Sequence, residues 1–371
     1  MEQILYKIGV TKIKGIGDVS IKTLIAYLGS IEAVFTTSTN TLRSIPGINQ
    51  KALAVFDERN KAIEEAKWEL DFITKNDIKA TFYTDKDYPL RLKECNDAPV
   101  LLYHKTTTDL NPAKAISIVG TRRSTPYGKE MTQRIISEIA QHYPNVAIIS
   151  GLAYGIDAIA HRCALKYNLP TIGVLAHGLD NIYPKAHYSI AEKMLDNGGL
   201  LTEFPSNTRP IPENFVKRNR IVAGFSDACI VIESAKKGGS LITAAIADSY
   251  NRDVFAVPGN STAPQSEGCN HLIKTQKAAM VESLEDLEYH LNWSREENKK
   301  RAQQTSLLIA MTDEEQMVFD YLEKEGKSHI NSISIVCKIP MSKLNPIMIN
   351  LEFSGLLKCY PGNMYELCAA F

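Results

Sequence analysis

"AISIVGTRRSTPYGKE", residues 115–130, decides how the rest of the chain is read. An apolar run, AISIV, ends on Gly120. Arg122 and Arg123 follow, then a polar loop with Pro126 and Gly128, then a helix-like segment. Strand, glycine, loop and helix in that order cradle phosphate, because the helix start presents backbone N–H groups and a positive dipole end. A nucleotide-hydrolysing loop needs GxxxxGK[ST], so that lysine reaches the β- and γ-phosphates and a hydroxyl holds magnesium. Here Gly120 and Gly128 are eight apart, and Lys129 is followed by Glu130. The dinucleotide fingerprint GxGxxG is missing too, since arginines stand where the backbone would approach a pyrophosphate. Arginine forks suit phosphodiester oxygens, and their planes stack on bases.

Outward from this stretch the pattern repeats. Short apolar runs recur as AISIV (115–119), VAIIS (146–150), TIGVLA (171–176), GLLTE (199–203), ACIVIE (228–233) and DVFAVP (253–258). Between them lie segments of helical spacing, such as Ile135, Ile136, Ile139 and Ala140. Near-continuous apolar strands alternating with helices predict a parallel sheet covered on both faces. The fold class is therefore α/β, with a doubly wound, mostly parallel, Rossmann-like core over residues 113–290.

In such a sheet ligands bind beyond the carboxyl ends of the strands. The candidate binding residues are those just after them. They are Gly120, Thr121, Arg122 and Thr125 after the first strand, Gly151 after the second and Lys185 after the third. Gly239 and Ser240 follow the fifth strand, and Phe215, Lys217, Arg218, Asn219 and Arg220 precede it. Between residues 209 and 220 four Arg/Lys face one Glu, which suits several phosphates at once. Tyr127, Tyr154, Tyr183, Phe204 and Phe215 lie in or near the same loops, and bases stack on such rings with little sequence preference. Packing under loops is the plainer role for most of them. Asp157, Asp180, Glu203 and Glu233 also sit near strand ends, as an acid/base set or as partners that orient arginines and cap helices. Their spacing specifies no metal, and His161 and His177 stand in no local nucleophile signature. No catalytic residue, cofactor or metal is expected.

The flanks are separate segments. Residues 1–56 read as a small helical domain of helix-hairpin-helix (SAM-like) type. Gly15-Ile16-Gly17 precedes a helix with Ile16, Val19, Leu24 and Leu28 on one face, and Ile45, Pro46-Gly47-Ile48, Ala52, Val55 and Phe56 repeat the pattern with Asn49 in place of a glycine. The glycine turn either meets a DNA phosphate through its backbone or is simply a tight helix–helix turn. Residues 57–112, with a charged helix around "DERNKAIEEAKWEL" and a strand-like "ATFYT", connect to the core, and 291–311 are a polar linker. Residues 312–371 have the order of a winged helix: three helices, then the hairpin LLKCYPGNMYEL. Five Lys/Arg against eight Asp/Glu over 311–371 favour protein contact or dimer support there over DNA.

Composition sets the outer limits. The chain has 371 residues, 44% hydrophobic and 23% charged, enough for two or three folded domains. Lys+Arg equals Asp+Glu at 42 each, so a polyanion site must be a local concentration of charge. Seven cysteines without a CxxC pair fit a reducing, cytoplasmic setting. No apolar run is long enough to span a bilayer, and no signal-peptide order opens the chain.

The segments "SIVGTRRSTPYG", "IISGLAYGIDAIAH", "GVLAHGLDNIYP", "LLTEFP", "NFVKRNRIVAGFSDACIVIE", "GGSLITAAIADSYNRDVFAVPG" and "EGCNHLI" follow one another. In this order they resemble the DNA-processing protein A (Smf) family. The family's VG[ST]RxxS loop falls on Val119, Gly120, Thr121, Arg122 and Thr125, with threonine for the usual serine. Its FPxRNR motif falls on Phe215 to Arg220, with Val216 for proline. The resemblance implies a non-enzymatic protein that binds single-stranded DNA, duplex DNA more weakly, and protects incoming strands. It also implies loading of RecA in natural transformation, dealings with single-strand binding protein, and a homodimer through the core. The alternative is a nucleotide hydrolase of the cytokinin-activating group. Its PGGxGTxxE motif has only "KKGGSLITAAI" as a counterpart here, which lacks the threonine and the glutamate.

Overall fold

The computed structural model describes residues 2–46, 56, 59–294, 312–354, 356–360 and 363–367, and the chain divides into two compact units, 1–293 and 294–371. The six expected strands form as β3 (Ala115–Val119), β4 (Ala147–Ser150), β5 (Thr171–Val174), β6 (Gly198–Thr202), β7 (Ala228–Val231) and β8 (Asp253–Ala256). Each pairs in parallel with its neighbours among the six. Three further strands extend the sheet to nine: β1 (Lys79–Phe82), β2 (Leu101–Thr106) and β9 (Ala279–Met280). Their order is β1-β2-β6-β5-β4-β3-β7-β8-β9, with β2 antiparallel to both β1 and β6. The chain winds outward from β3 to β6, then crosses back to lay β7 against the other side of β3. That reversal leaves a crevice above β3, β4 and β7, where α/β sheets hold ligands.

Why the strands are apolar throughout is visible in β3. Ala115 and Val119 point into one core layer, with Ile221, Val222 and Phe225 from the helix Pro212–Gly224 and its end. Ile116 and Ile118 point into the other, with Ile135, Ile136 and Ile139 from the helix Pro126–His142. Both faces are covered, so both alternating sets must be hydrophobic. Each fully buried isoleucine contributes about 1.5–3 kcal/mol relative to exposure.

The amino-terminal helices Glu2–Lys12, Asp18–Leu28, Ile31–Thr36 and Thr39–Arg43 pack with the helix Arg59–Lys75 over one apolar cluster. Phe82, Leu101 and Tyr103 of β1 and β2 belong to the same cluster. Within the connecting residues 57–112 the strand-like ATFYT thus forms β1, and β2 pairs with it to join this helical layer to the sheet. Leu24 and Ile21 are buried, whereas Val19 is exposed, so the inward face of that helix is turned relative to the expected one. Gly15 takes a left-handed φ of 78° in the exposed Gly-Ile-Gly turn. The second hairpin, with Ile48, Asn49, Ala52 and Val55, lies outside the described residues.

At the other end, the expected linker begins later than residue 291. Leu291 and Trp293 pack against the core, and Trp293 meets Tyr143 edge-on with ring centroids 5.1 Å apart. Residues 295–311 lie outside the described ones. The second unit holds the helices Asp313–Glu325, Ile330–Cys337 and Met341–Phe353. A three-stranded antiparallel sheet accompanies them, built from β10 (Ser328–His329), β11 (Leu357–Tyr360) and β12 (Met364–Leu367). Thr312 starts the first helix with a capping box closed by Glu315.

Candidate nucleic-acid interface

A cavity of about 440 Å³ fills the crevice at the carboxyl ends of β3, β4 and β7. Its first wall is the turn after β3. Gly120 has to be glycine, since a Cβ there would lie 2.5 Å from the Ile156 side chain. The next residue is clamped on both sides: Thr121 N–H donates to the Glu233 carbonyl (2.8 Å), and its carbonyl accepts from Ile156 N–H (3.2 Å). Its hydroxyl oxygen accepts from Arg123 N–H at 3.2 Å. The turn is therefore rigid up to Arg122, whose exposed guanidinium lies 5.3 Å from the centroid of the Phe215 ring.

The helix Pro212–Gly224 supplies the second wall. Its period brings Phe215, Arg218, Asn219 and Val222 to the cavity. Arg218 is buried and its guanidinium sits 5.9 Å from the same Phe215 ring, on which Tyr183 also rests edge-on. Nη1 of Arg218 donates to the carbonyls of Gly151 (2.6 Å) and Val174. A Cβ on Gly151 would lie 2.4 Å from that guanidinium, so Gly151 is what seats Arg218. Burial lowers the Arg218 pKa to about 10, against the opposing pull of Asp157. It stays charged at neutral pH. Asp157 accepts from the N–H groups of Gly151 (3.2 Å) and Ala153 (3.3 Å). Burial raises its carboxyl above the ordinary range, and Arg218 opposes that rise.

The third wall is the start of the helix Gly239–Ser249. Gly239 meets open space, while Ser240 donates its hydroxyl proton to Ser234 Oγ at 2.9 Å. The helix start aims its positive dipole end at the cavity. An anion here meets two guanidinium groups, a helix N-terminus and a small-residue floor.

Nine of the sequence-predicted residues line this cavity: Gly120, Thr121, Arg122, Gly151, Phe215, Arg218, Asn219, Gly239 and Ser240. Four do not, and each has a physical reason. Thr125 caps the helix Pro126–His142: its Oγ1 accepts from Gly128 N–H (3.2 Å), and its N–H and hydroxyl donate to Glu233 at 2.9 and 2.5 Å. Lys217 lies on the far side of its helix, exposed, with its ammonium 2.7 Å from Glu203 Oε2. Arg220 is buried there as well, bound to Glu203 (2.6 Å), Asp18 (3.3 Å) and the Asp97 carbonyl. It ties the amino-terminal helices to the core and stands outside the cavity lining in which it was expected. Lys185 sits exposed on the short 3₁₀ turn Lys185–His187, outside the cavity lining.

Sequence reasoning missed the apolar lining, Val222 and Ile242 among it, and Thr243. Helical spacing from Arg218 and Gly239 points to all three. The acidic residues near the strand ends are committed to structure. Glu233 holds Thr125, Glu203 holds Arg220 and Lys217, Asp157 holds backbone amides, and Asp180 Oδ1 accepts from Asn207 N–H at 3.0 Å. Among the described residues, no group of three or more His, Cys, Asp or Glu is placed to hold a metal ion, and no helix is long and apolar enough to cross a membrane.

Comparison with known proteins matches residues 79–292 to the family model "DNA recombination-mediator protein A". Protein Smf of Synechocystis is 34% identical over 274 residues, covering 72% of this chain and 68% of that protein. An X-ray structure of DNA processing protein A from Streptococcus pneumoniae superposes with a TM-score of 0.66 at 33% identity, covering 76% of this chain and 96% of that one. A structure of DNA processing protein A from Helicobacter pylori, described for its single-stranded DNA binding mode, gives 0.52 at 30% identity over 58% of this chain and 95% of that one.

Proposed function

The chain belongs to the DNA recombination-mediator protein A family, and from that premise we propose that it is a single-stranded DNA-binding recombination mediator. On this reading it holds incoming strands during natural transformation and passes them to a RecA recombinase, displacing or accommodating single-strand binding protein. It does so by binding and not by breaking bonds.

The observation that carries the reading is the pair of guanidinium groups, Arg122 and Arg218, at 5.3 and 5.9 Å from one Phe215 ring beside the cavity. Charged forks on a phosphodiester make strong hydrogen bonds. Arg122 is exposed beside that ring, and a guanidinium plane stacks on bases with little sequence preference. The cavity is recessed, so a splayed single strand reaches its floor more readily than a stiff duplex does. Lys217, held by Glu203, contributes to the surrounding field and not to a direct contact. Two copies joined through the core would present two such cavities, and avidity would raise modest site affinities.

The second unit fits a winged helix used for protein contact. Lys343, the one cation of the helix Met341–Phe353, is paired with Glu314 at 3.4 Å, and Ile349 and Phe353 of that helix are exposed. Nucleotide hydrolysis is less well supported, because the strand-end carboxylates are already spent on backbone amides and cations. The test is fluorescence anisotropy of the full chain with single-stranded and duplex oligonucleotides, with ATP as competitor. The single strand should bind more tightly and resist millimolar ATP. Displacement by ATP, or tighter duplex binding, would refute the reading.

A further inference from the structure

A second cavity, of about 370 Å³, lies across the phosphate turn from the first. Thr125, Tyr127, Glu233, Gly259, Pro264 and Gln265 are among the residues that line it, and among the described residues no lysine or arginine does. It is therefore no phosphate site. The turn from Gly120 to Thr125 is the partition: Thr121 and Arg122 face the first cavity, Thr125 the second. The two cavities therefore lie on either side of one six-residue turn.

The walls of this slot are fixed in advance. Tyr127 is 40% exposed, and its hydroxyl donates to the Pro258 carbonyl at 2.5 Å, which holds the ring in place. Gly259 is gripped from both sides by the Asn270 amide, at 3.1 and 2.9 Å. Gln265 is pinned by its backbone, whose carbonyl accepts from Ser234 N–H at 2.8 Å. Its side-chain carbonyl oxygen is shut off from solvent with no hydrogen-bond partner among the described residues. A buried acceptor without a donor is costly, and a small turn of the amide toward the slot would relieve it if a donor were there.

We propose that this slot takes one base of the bound strand, stacked on Tyr127 and read by the Gln265 amide. The inference rests on the single-strand reading above. The base it suits carries an exocyclic amine: adenine N6 or cytosine N4 donates to the Gln265 carbonyl, and the amide N–H of Gln265 meets a ring nitrogen such as adenine N7. On that same edge, the one carrying adenine N6 and N7, thymine and guanine offer only acceptors and leave the carbonyl unpaired. The slot thus adds a base preference to a strand held mainly by its backbone.

The experiment compares full-length wild-type, Gln265→Leu and Tyr127→Leu proteins on dA, dC, dT and abasic oligonucleotides of equal length by anisotropy at fixed salt. Wild type should bind dA and dC about five- to tenfold more tightly than dT. Gln265→Leu should lose that preference while its dT affinity is unchanged. Tyr127→Leu should weaken strands with bases and leave the abasic strand as it was. Equal wild-type binding of dA, dC and dT, or an intact preference in Gln265→Leu, would overturn the slot and leave the single-strand reading standing. Failure of wild type to bind any strand would remove both.

Discussion

Replacing Gly151 by alanine tests how the cavity floor is built. The new Cβ would sit 2.4 Å from three atoms of the Arg218 guanidinium, and that group has nowhere to go but outward. It would give up its bonds to the carbonyls of Gly151 and Val174. Hydrogen bonds to a charged group are worth about 1.5–3 kcal/mol each, so about 3–6 kcal/mol is at stake. Two effects reduce the loss. The displaced guanidinium regains water, and alanine at a position outside the left-handed region gains about 0.4–1 kcal/mol from the unfolded chain. A net loss of about 2–3 kcal/mol is expected by urea denaturation, with m unchanged. Single-strand affinity should fall about tenfold, since one of two guanidinium forks leaves its place. The decisive control is Arg218→Met. In that background the Gly151→Ala change has no guanidinium to displace, and its cost should shrink to within about 0.5 kcal/mol of zero. Additive effects of the two changes would refute the seating of Arg218 by Gly151.

Two further outcomes follow from the same geometry. Arg220→Met should cost about 3–5 kcal/mol, because it leaves Glu203 buried with its main partner gone, yet the salt dependence of DNA binding should not change; a changed salt slope would return Arg220 to the phosphate contacts. His161 is buried, with burial lowering its pKa from 6.5 to about 3, so its contribution is present above the unfolded value and is lost as pH falls toward the folded one. Between about pH 7 and about pH 5 that loss is about 2 kcal/mol, His104 at about 4 adds with the same sign, and the raised carboxyls of Asp157 and Glu203 act oppositely. His161→Leu should flatten the urea midpoint against pH, and a profile as steep as wild type would contradict this.

The sheet was legible because each parallel strand is buried on both faces and so reads as an unbroken apolar run. β1 was legible as the strand-like ATFYT, whereas β2 was not, since it is antiparallel and only its first half, LLY, reads as an apolar run. The phosphate turn was legible in Gly120, Thr121 and Arg122. In the basic run at 217–220 the linear density of charge conceals the helical period. At 100° per residue Arg218 turns to the cavity, while Lys217 and Arg220 turn to Glu203. Thr125 before Pro126 carries the signature of a helix cap. Its partner Glu233 is 108 residues away, and only the fold brings the two together.

The most direct test of the central claim is the salt dependence of single-strand binding for wild type and Arg122→Ala. Each phosphate neutralised on a single strand contributes about 0.7 to the slope of log K against log salt. Wild type should bind with a steep negative slope, and Arg122→Ala should bind more weakly with a slope shallower by about 0.7. A wild-type affinity and slope in Arg122→Ala would show that the strand does not lie in this cavity.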